Sequence, residues 1–247
     1  MDREEVINKL ARTDDERLLA AKLFDKAQRN GVTAFLSPAQ RAFAQTVSEQ
    51  GRLGARFDGG YADAERTVAV FGYADAELSA IRLTIRGKEE LTHRDFLGGI
   101  LALGLKRETL GDIALHGRYA DVIASAEAAE LILRKLERVG SAAVDAERIE
   151  LSDFTPPKII GSTRPITLAS LRLDCLIAEI FGLSRSEALK AVSSGLVAVD
   201  HVTAQKPSAT VSEGSLISLR GHGRARLESL GGLSRKGRQY AEIFIFE

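Results

Sequence analysis

Apolar positions in the first 50 residues recur at helical spacing. Leu19, Leu23 and Ala27 lie four apart, with Phe24 beside them. Thr13 and Glu16 have the spacing of a capping box, in which each side chain satisfies a free backbone N–H at a helix start. Asn30-Gly31 supplies the stop, because glycine accepts the left-handed end conformation. A second helix starts at Ser37, with Pro38 at the first helical position and Gln40 completing the box, and runs to about Gln50. Asp58-Gly59-Gly60 reads as a turn.

The period then changes. Alternation predicts strands over 66–71 and 79–85, and Thr92 with Asp95 caps a helix reaching about Leu103. Residues 111–115 and 118–124 read as a hairpin around His116-Gly117. Ser125 caps a helix whose Ala128, Leu131, Ile132, Leu136 and Val139 form one face, stopped by Gly140, and 143–151 is a last strand. From residue 79 the order is βαββαβ, the ferredoxin-like plait shared with RNA-recognition domains, with one extra strand in front. Many unrelated domains use this order, so it sets no function alone.

Residues 152–165, with Pro156-Pro157, Gly161 and Pro165, read as a linker. A third unit follows over 166–247. Leu173, Leu176, Ile177 and Ile180 mark a helix from about Arg172 to Phe181, ended by Gly182. Ser184 and Glu187 cap a second helix to about Ser193. Strands are expected at 196–199 and 217–220, with turns at Asp200-His201 and Glu213-Gly214, and a terminal hairpin over 226–230 and 239–246. The fold class is therefore α+β in three parts: a helical module at 1–65, the plait at 66–151, and two helices with a small sheet at 166–247.

Length and composition fit this division. A chain of 247 residues with 45% apolar and 28% charged residues can fill two or three cores. The single cysteine, Cys175, excludes an internal disulfide and a cysteine-rich zinc site. His93, His116, His201 and His222 are scattered without metal-ligand spacing. The charged start at Met1-Asp2-Arg3-Glu4-Glu5 carries no signal-peptide pattern, and no run approaches the ~20 apolar residues of a membrane helix. The expectation is a cytoplasmic protein with no membrane partner.

The 34 basic and 34 acidic residues cancel. That total excludes a uniformly basic coat, yet it hides segregation. Residues 163–247 hold three more Lys and Arg than acids, and the rest holds three fewer. Between 215 and 240, Arg220, Arg224, Arg226, Arg235, Lys236 and Arg238 face one acid, Glu228. Glycines at 221, 223, 231, 232 and 237 interleave with them. Arginine forks onto phosphate oxygens and glycine admits close backbone approach, so the stretch reads as a phosphate-binding surface or as a solvated basic loop.

Ser170-Leu171-Arg172-Leu173-Asp174, Leu183-Ser184-Arg185-Ser186, Gly195-Leu196-Val197-Ala198-Val199, Lys206-Pro207-Ser208 and Glu213-Gly214-Ser215-Leu216-Ile217 follow one another in the running pattern of the RNA-binding domain first described in small-subunit ribosomal protein S-four. Ser215 departs from it, since Asp is usual there. The segment 57–66, Leu91-Thr92-His93-Arg94-Asp95-Phe96-Leu97-Gly98, and Leu103-Gly104-Leu105-Lys106-Arg107 followed by Gly111-Asp112-Ile113 resemble the bacterial YlmH family. That resemblance covers nearly the whole chain. It implies a ribosome-associated protein that binds ribosomal RNA or tRNA, linked to rescue of stalled large subunits holding peptidyl-tRNA.

Carried onto this chain, the RNA face implies Arg172, Ser184, Arg185, Ser186, Lys190, Lys206 and Arg220, joined by the basic tail. Arg172 and Arg185 fall at helix starts, where free N–H groups and the helix dipole favour an anion and a cation is locally unfavourable. Ser184 reads first as a plain cap, and Lys190 also as a solvated helix side. His93, Arg94, Lys106 and Arg107 flank the first plait helix and are candidates for RNA contact or simply for completing the helix start. Gly98, Gly99 and Gly104 beside that helix imply close packing or close approach by RNA. No phosphate-binding loop, dinucleotide fingerprint or nucleophile elbow is present, and no small-molecule cofactor or metal is expected. Asp174 in its Arg-Leu-Asp setting resembles the catalytic Asp of pseudouridine synthases, but it sits inside the binding domain and reads as a partner for arginine. The reading is a non-catalytic RNA binder; an RNA-modifying enzyme and a ribosome-docked protein-interaction module are the rivals.

Overall fold

The computed structural model describes residues 2–246, and four of its helices begin at reciprocal side-chain capping boxes. α1 spans Arg3–Leu10, α2 Asp14–Gln28 and α3 Pro38–Gly51. Thr13 with Glu16 and Ser37 with Gln40 form reciprocal boxes at the starts of α2 and α3. The three helices bury Val6, Ala20, Leu23, Ala44 and Val47 among themselves.

β1 (Arg56–Asp58) and β2 (Val68–Val70) pair antiparallel as a separate two-stranded sheet. The strand expected in front of the plait is therefore not a plait strand. β2 is buried on both faces, which explains its apolar run. Ala69 and Phe71 pack with the helices, whereas Val68 and Val70 pack with Phe35 and with Ala80, Ala114 and Ile123 of the plait.

The plait is β3 (Leu78–Ile85), α4 (His93–Leu101), β4 (Leu110–Leu115), β5 (Tyr119–Ser125), α5 (Ala126–Lys135), β6 (Arg138–Val139) and β7 (Ala142–Ile149). A 3-10 turn at Arg107–Thr109 leads into β4. The antiparallel order β4-β5-β3-β7-β6 places β3 and β5 centrally, as the βαββαβ pattern requires. Phe96, Ile100, Ala128 and Ile132 cover one face over Ile81, Leu83 and Val122. α5 stops at Lys135, short of the expected Gly140. Leu136 turns extended, β6 forms, and Gly140 serves the β6–β7 turn with φ +57°. Val139 still reaches the core, which is why it kept the helical count.

The chain divides at Pro157/Lys158 into two compact units. In the second, β8 (Gly161–Leu168), α6 (Leu173–Phe181), α7 (Arg185–Ser193), β9 (Val197–Val199), β10 (Val202–Thr203), β11 (Leu216–Leu219), β12 (Gly223–Leu233) and β13 (Gln239–Phe246) make a six-stranded sheet ordered β10-β9-β11-β12-β13-β8. Residues 161–165, expected as linker, are strand: β8 pairs with β13 over its whole length. β8 is an edge strand, and an edge tolerates Pro165 because its missing N–H costs no ladder bond on the open side. α6 and α7 lay Leu173, Leu176, Ile177, Ile180, Ala188 and Val192 on Ile217, Leu219, Ala225, Leu227 and Ile243.

Candidate nucleic-acid interface

The second unit gathers part of the expected RNA face around the starts of α6 and α7. A cleft of about 380 Å³ is lined by Ala169, Ser170, Arg172, Asp174, Cys175, Arg185 and Leu189. Arg172 and Arg185, from different helices, thus share one concavity. The Arg185 side chain is exposed and makes no hydrogen bond or ion pair among the described residues. Arg172 is the N-cap of α6, and its guanidinium grips Asp174 with Nε–Oδ1 3.0 Å and Nη2–Oδ2 2.5 Å. Asp174 also accepts from the Cys175 N–H at 2.9 Å. Arg172 beside Asp174 holds the carboxyl below its usual range, and half of the Arg172 side chain stays exposed to the cleft.

The two helix starts are not alike. At α6 the N–H of Leu173 donates to the Ala209 carbonyl and that of Asp174 to the Pro207 carbonyl, so the expected free donors are already bonded. Lys206 lies exposed in the same 204–210 loop. At α7, Ser184 accepts from the Glu187 N–H at 3.3 Å, and the Glu187 carboxylate accepts from the Ser184 N–H at 2.8 Å. That box leaves the Arg185 and Ser186 N–H groups without a partner among the described residues, pointing out of a positive helix end. Ser186 Oγ is 3.1 Å from Ser184 Oγ, so Ser184 spends its side chain on capping. Lys190 and Arg220 are exposed; Arg220 is held by its own N–H to the Leu196 carbonyl, in the loop following β11.

The basic tail does not join the cleft as one surface. Ala225 and Leu227 enter the core beneath the helices, so Arg224 and Arg226 stand on the other face of the sheet. There both guanidinia lie over the Phe246 ring, at 5.3 and 5.4 Å, and Phe244 meets Phe246 edge-on at 4.9 Å. The two phenylalanines were not among the candidate residues; their alternation opposite Arg224 and Arg226 across the hairpin was the available signal. Arg235 and Lys236 sit exposed at the hairpin tip. Arg238 is structural: its side chain bonds the Thr167 carbonyl and hydroxyl, tying β13 to β8, and lies 3.8 Å from Glu179.

In the first unit the sheet face used by RNA-recognition domains is closed. Phe35, Val68, Val70, Tyr61 and Phe154 cover Ala80, Ala114 and Ile123. Beyond them, fully buried Asp121 holds Arg82 through two bonds of 2.8 Å, and Arg82 stacks on Tyr119 at 4.4 Å. The basic candidates lie elsewhere. His93 opens α4, Arg94 and Lys106 are exposed, and Arg107 donates to the Leu110 and Gly111 carbonyls. Gly99 packs against β6, where an added Cβ would lie 3.2 Å from Val139 Cγ2, whereas Gly98 faces open space. Among the described residues no cluster of His, Cys, Asp and Glu is arranged to hold a metal, and no helix is long and apolar enough to cross a membrane.

Two family models match segments of the chain. Residues 75–153 match one described as "Putative RNA-binding domain in YlmH", and residues 171–217 match the S4 domain. Across 230 residues the chain is 34% identical to the "Ribosome-associated protein quality control protein P2" of Bacillus subtilis (strain 168), covering 90% of each. The chain belongs to the YlmH family. A solved structure titled "Cell division protein ylmH from Streptococcus pneumoniae" superposes on 59% of this chain and 98% of its own, with TM-score 0.50 and 16% identity, a likeness of fold. In this YlmH-family chain the S4 match begins at Leu171, one residue before Arg172, and takes in both helix starts of the cleft.

Proposed function

We propose that the protein is a non-catalytic, ribosome-associated RNA binder whose S4 domain holds structured ribosomal RNA or tRNA, acting on stalled large subunits that retain peptidyl-tRNA. One observation carries this reading: Arg172 and Arg185 line one cleft beside a helix end with two unspent N–H donors. Such a set matches a phosphate, with Arg185 supplying charge and fork geometry, and the helix end supplying directed donors. Lys190, Lys206 and Arg220 extend the positive field around the two helices. Arg224, Arg226, Arg235 and Lys236 provide a second strip on the sheet and hairpin tip. The relative's name supports the ribosomal setting. Recognition is by backbone and shape, since the groups are cations and N–H donors rather than base-reading amides.

Co-sedimentation with large ribosomal subunits tests it. The Arg185→Glu, Arg224→Glu double variant should fold normally and lose binding, and the single variants should show which strip dominates. Full binding by a well-folded double variant would overturn the assigned face. With about four phosphates neutralised, log affinity should fall against log salt with a slope of about −3.

A further inference from the structure

We propose that Arg66 and Arg107 form a second contact for an RNA backbone phosphate, in the first unit beside the start of α4. The two guanidinia converge on one acceptor: Arg66 Nε is 3.0 Å and Arg107 Nη1 2.7 Å from the Leu110 carbonyl oxygen. Their other bonds also go to backbone carbonyls, those of Phe35 and Arg107 for Arg66 and of Gly111 for Arg107. Among the described residues neither makes an ion pair with a carboxylate. The nearby acid, Asp112, spends its oxygens on the Tyr61 hydroxyl at 2.8 Å, the Glu65 N–H at 2.7 Å and the Arg66 N–H at 3.2 Å. Asp112 therefore tempers the field without occupying the guanidinium edges. Among the described residues, Nη1 of Arg66 and Nε and Nη2 of Arg107 keep their donors unspent.

Two like charges held together and half-buried repel each other. Burial and then Arg66 push Arg107 down to about 10. Burial and then Arg107 lower His93, against Asp112 and Glu65, which raise it. An anion between the guanidinia would relieve that repulsion and accept the free donors. The surroundings favour a polyanion over a small ion. Arg94 and Lys106 stand exposed on α4 and on the segment that follows it. Gly98, between Arg94 and Ala102 on the outer side of α4, faces open space, so the fold's own packing gives no reason for its helical cost of about 1 kcal/mol. A bare helix surface beside a cationic pair admits a nucleic-acid backbone. The unit as a whole carries four more acids than Lys and Arg, so RNA can approach it only at a local excess such as this one.

The identity of the polyanion rests on the RNA-binding reading above; the site itself does not. The test follows the His93 ring by NMR in the full chain, assigned by its loss in His93→Gln, with a 20-nucleotide RNA stem-loop as probe. Saturating RNA should raise the His93 titration midpoint. Arg66→Gln should erase that rise and reduce the salt slope of RNA binding by about 0.7 to 0.9. Gly98→Glu, placed in open space, should weaken binding with the fold intact, and so covers the case in which Arg66→Gln misfolds. An unmoved His93 under saturating RNA overturns the site and leaves the S4 reading standing. An equal rise with inorganic phosphate at the same concentration overturns RNA as its ligand. Persistence of the rise in the Arg185→Glu, Arg224→Glu background supports the site even where that double variant fails to weaken ribosome binding.

Discussion

Arg172 closes on Asp174 through two nearly parallel bonds, Nε–Oδ1 at 3.0 Å and Nη2–Oδ2 at 2.5 Å, across a single intervening residue. With the Cys175 N–H also donating to Oδ1, the buried carboxylate accepts three bonds and serves to fix Arg172 at the rim of the cleft. Asp174→Asn should therefore destabilise the fold by about 1 to 2 kcal/mol, through the bonds lost at a buried carboxylate, in urea unfolding. The carboxyl is held below its ordinary value by Arg172, so its contribution is complete above the usual carboxylate range and lost as pH falls through the depressed value. The variant should show a shallower loss of stability on acidification. Mass mapping of ribosomal RNA from cells carrying Asp174→Asn should show every modification retained.

The basic residues of the tail should separate by experiment into two kinds. Arg238 bonds the Thr167 hydroxyl and carbonyl on β8 through its side chain, so Arg238→Ala should cost about 1 to 2 kcal/mol of stability. Arg235 and Lys236 are exposed at the tip. The Arg235→Ala, Lys236→Ala pair should leave the urea midpoint unchanged and reduce the salt slope of RNA binding by about 1.5. A stability loss in the tip pair, or a slope change of that size in Arg238→Ala alone, would reverse the assignment.

Local signals in the chain were legible and long-range ones were not. Thr13, Ser37, Thr92 and Ser184 mark helix starts because a cap and its partner lie three residues apart, within one turn. The βαββαβ order was readable because each strand alternates against a helix-covered face. β8 was missed because Gly161 and Pro165 carry loop chemistry, and only pairing with β13, some 75 residues on, makes the segment a strand. β2 was seen, but its partner β1 and its two buried faces were not, since a short apolar run names no neighbour. The cleft candidates Arg172 and Arg185 came from motif resemblance. Arg66 was not singled out as a site residue, because its relation to Arg107, through the shared Leu110 carbonyl and its own bond to the Arg107 carbonyl, joins residues some 40 positions apart.

Ser184 tests whether a motif residue on the RNA face acts through the fold. Its hydroxyl oxygen accepts from the Glu187 N–H, closing the box that starts α7. Ser184→Ala should cost about 1 kcal/mol of stability. RNA affinity measured well below the unfolding midpoint should change less than twofold, a shift of about 0.4 kcal/mol. Bonding to Ser184 holds the Glu187 carboxyl below its usual value, so that contribution is present above the ordinary Glu range and lost as pH falls through the lowered one. Glu187→Gln should flatten that part of the acid profile while α7 remains.

Arg82 tests the closed sheet face. Asp121 is fully buried and answered by Arg82 at Nε and Nη2, both 2.8 Å, with the Thr155 N–H at 3.2 Å. Were this face an RNA platform, Arg82→Met would mainly lower RNA affinity. The geometry predicts instead a buried carboxylate left without its cation, at a cost of about 3 kcal/mol at pH 7. Asp121→Asn in the Arg82→Met background should recover part of the loss at pH 7, because a neutral amide needs no counter-charge.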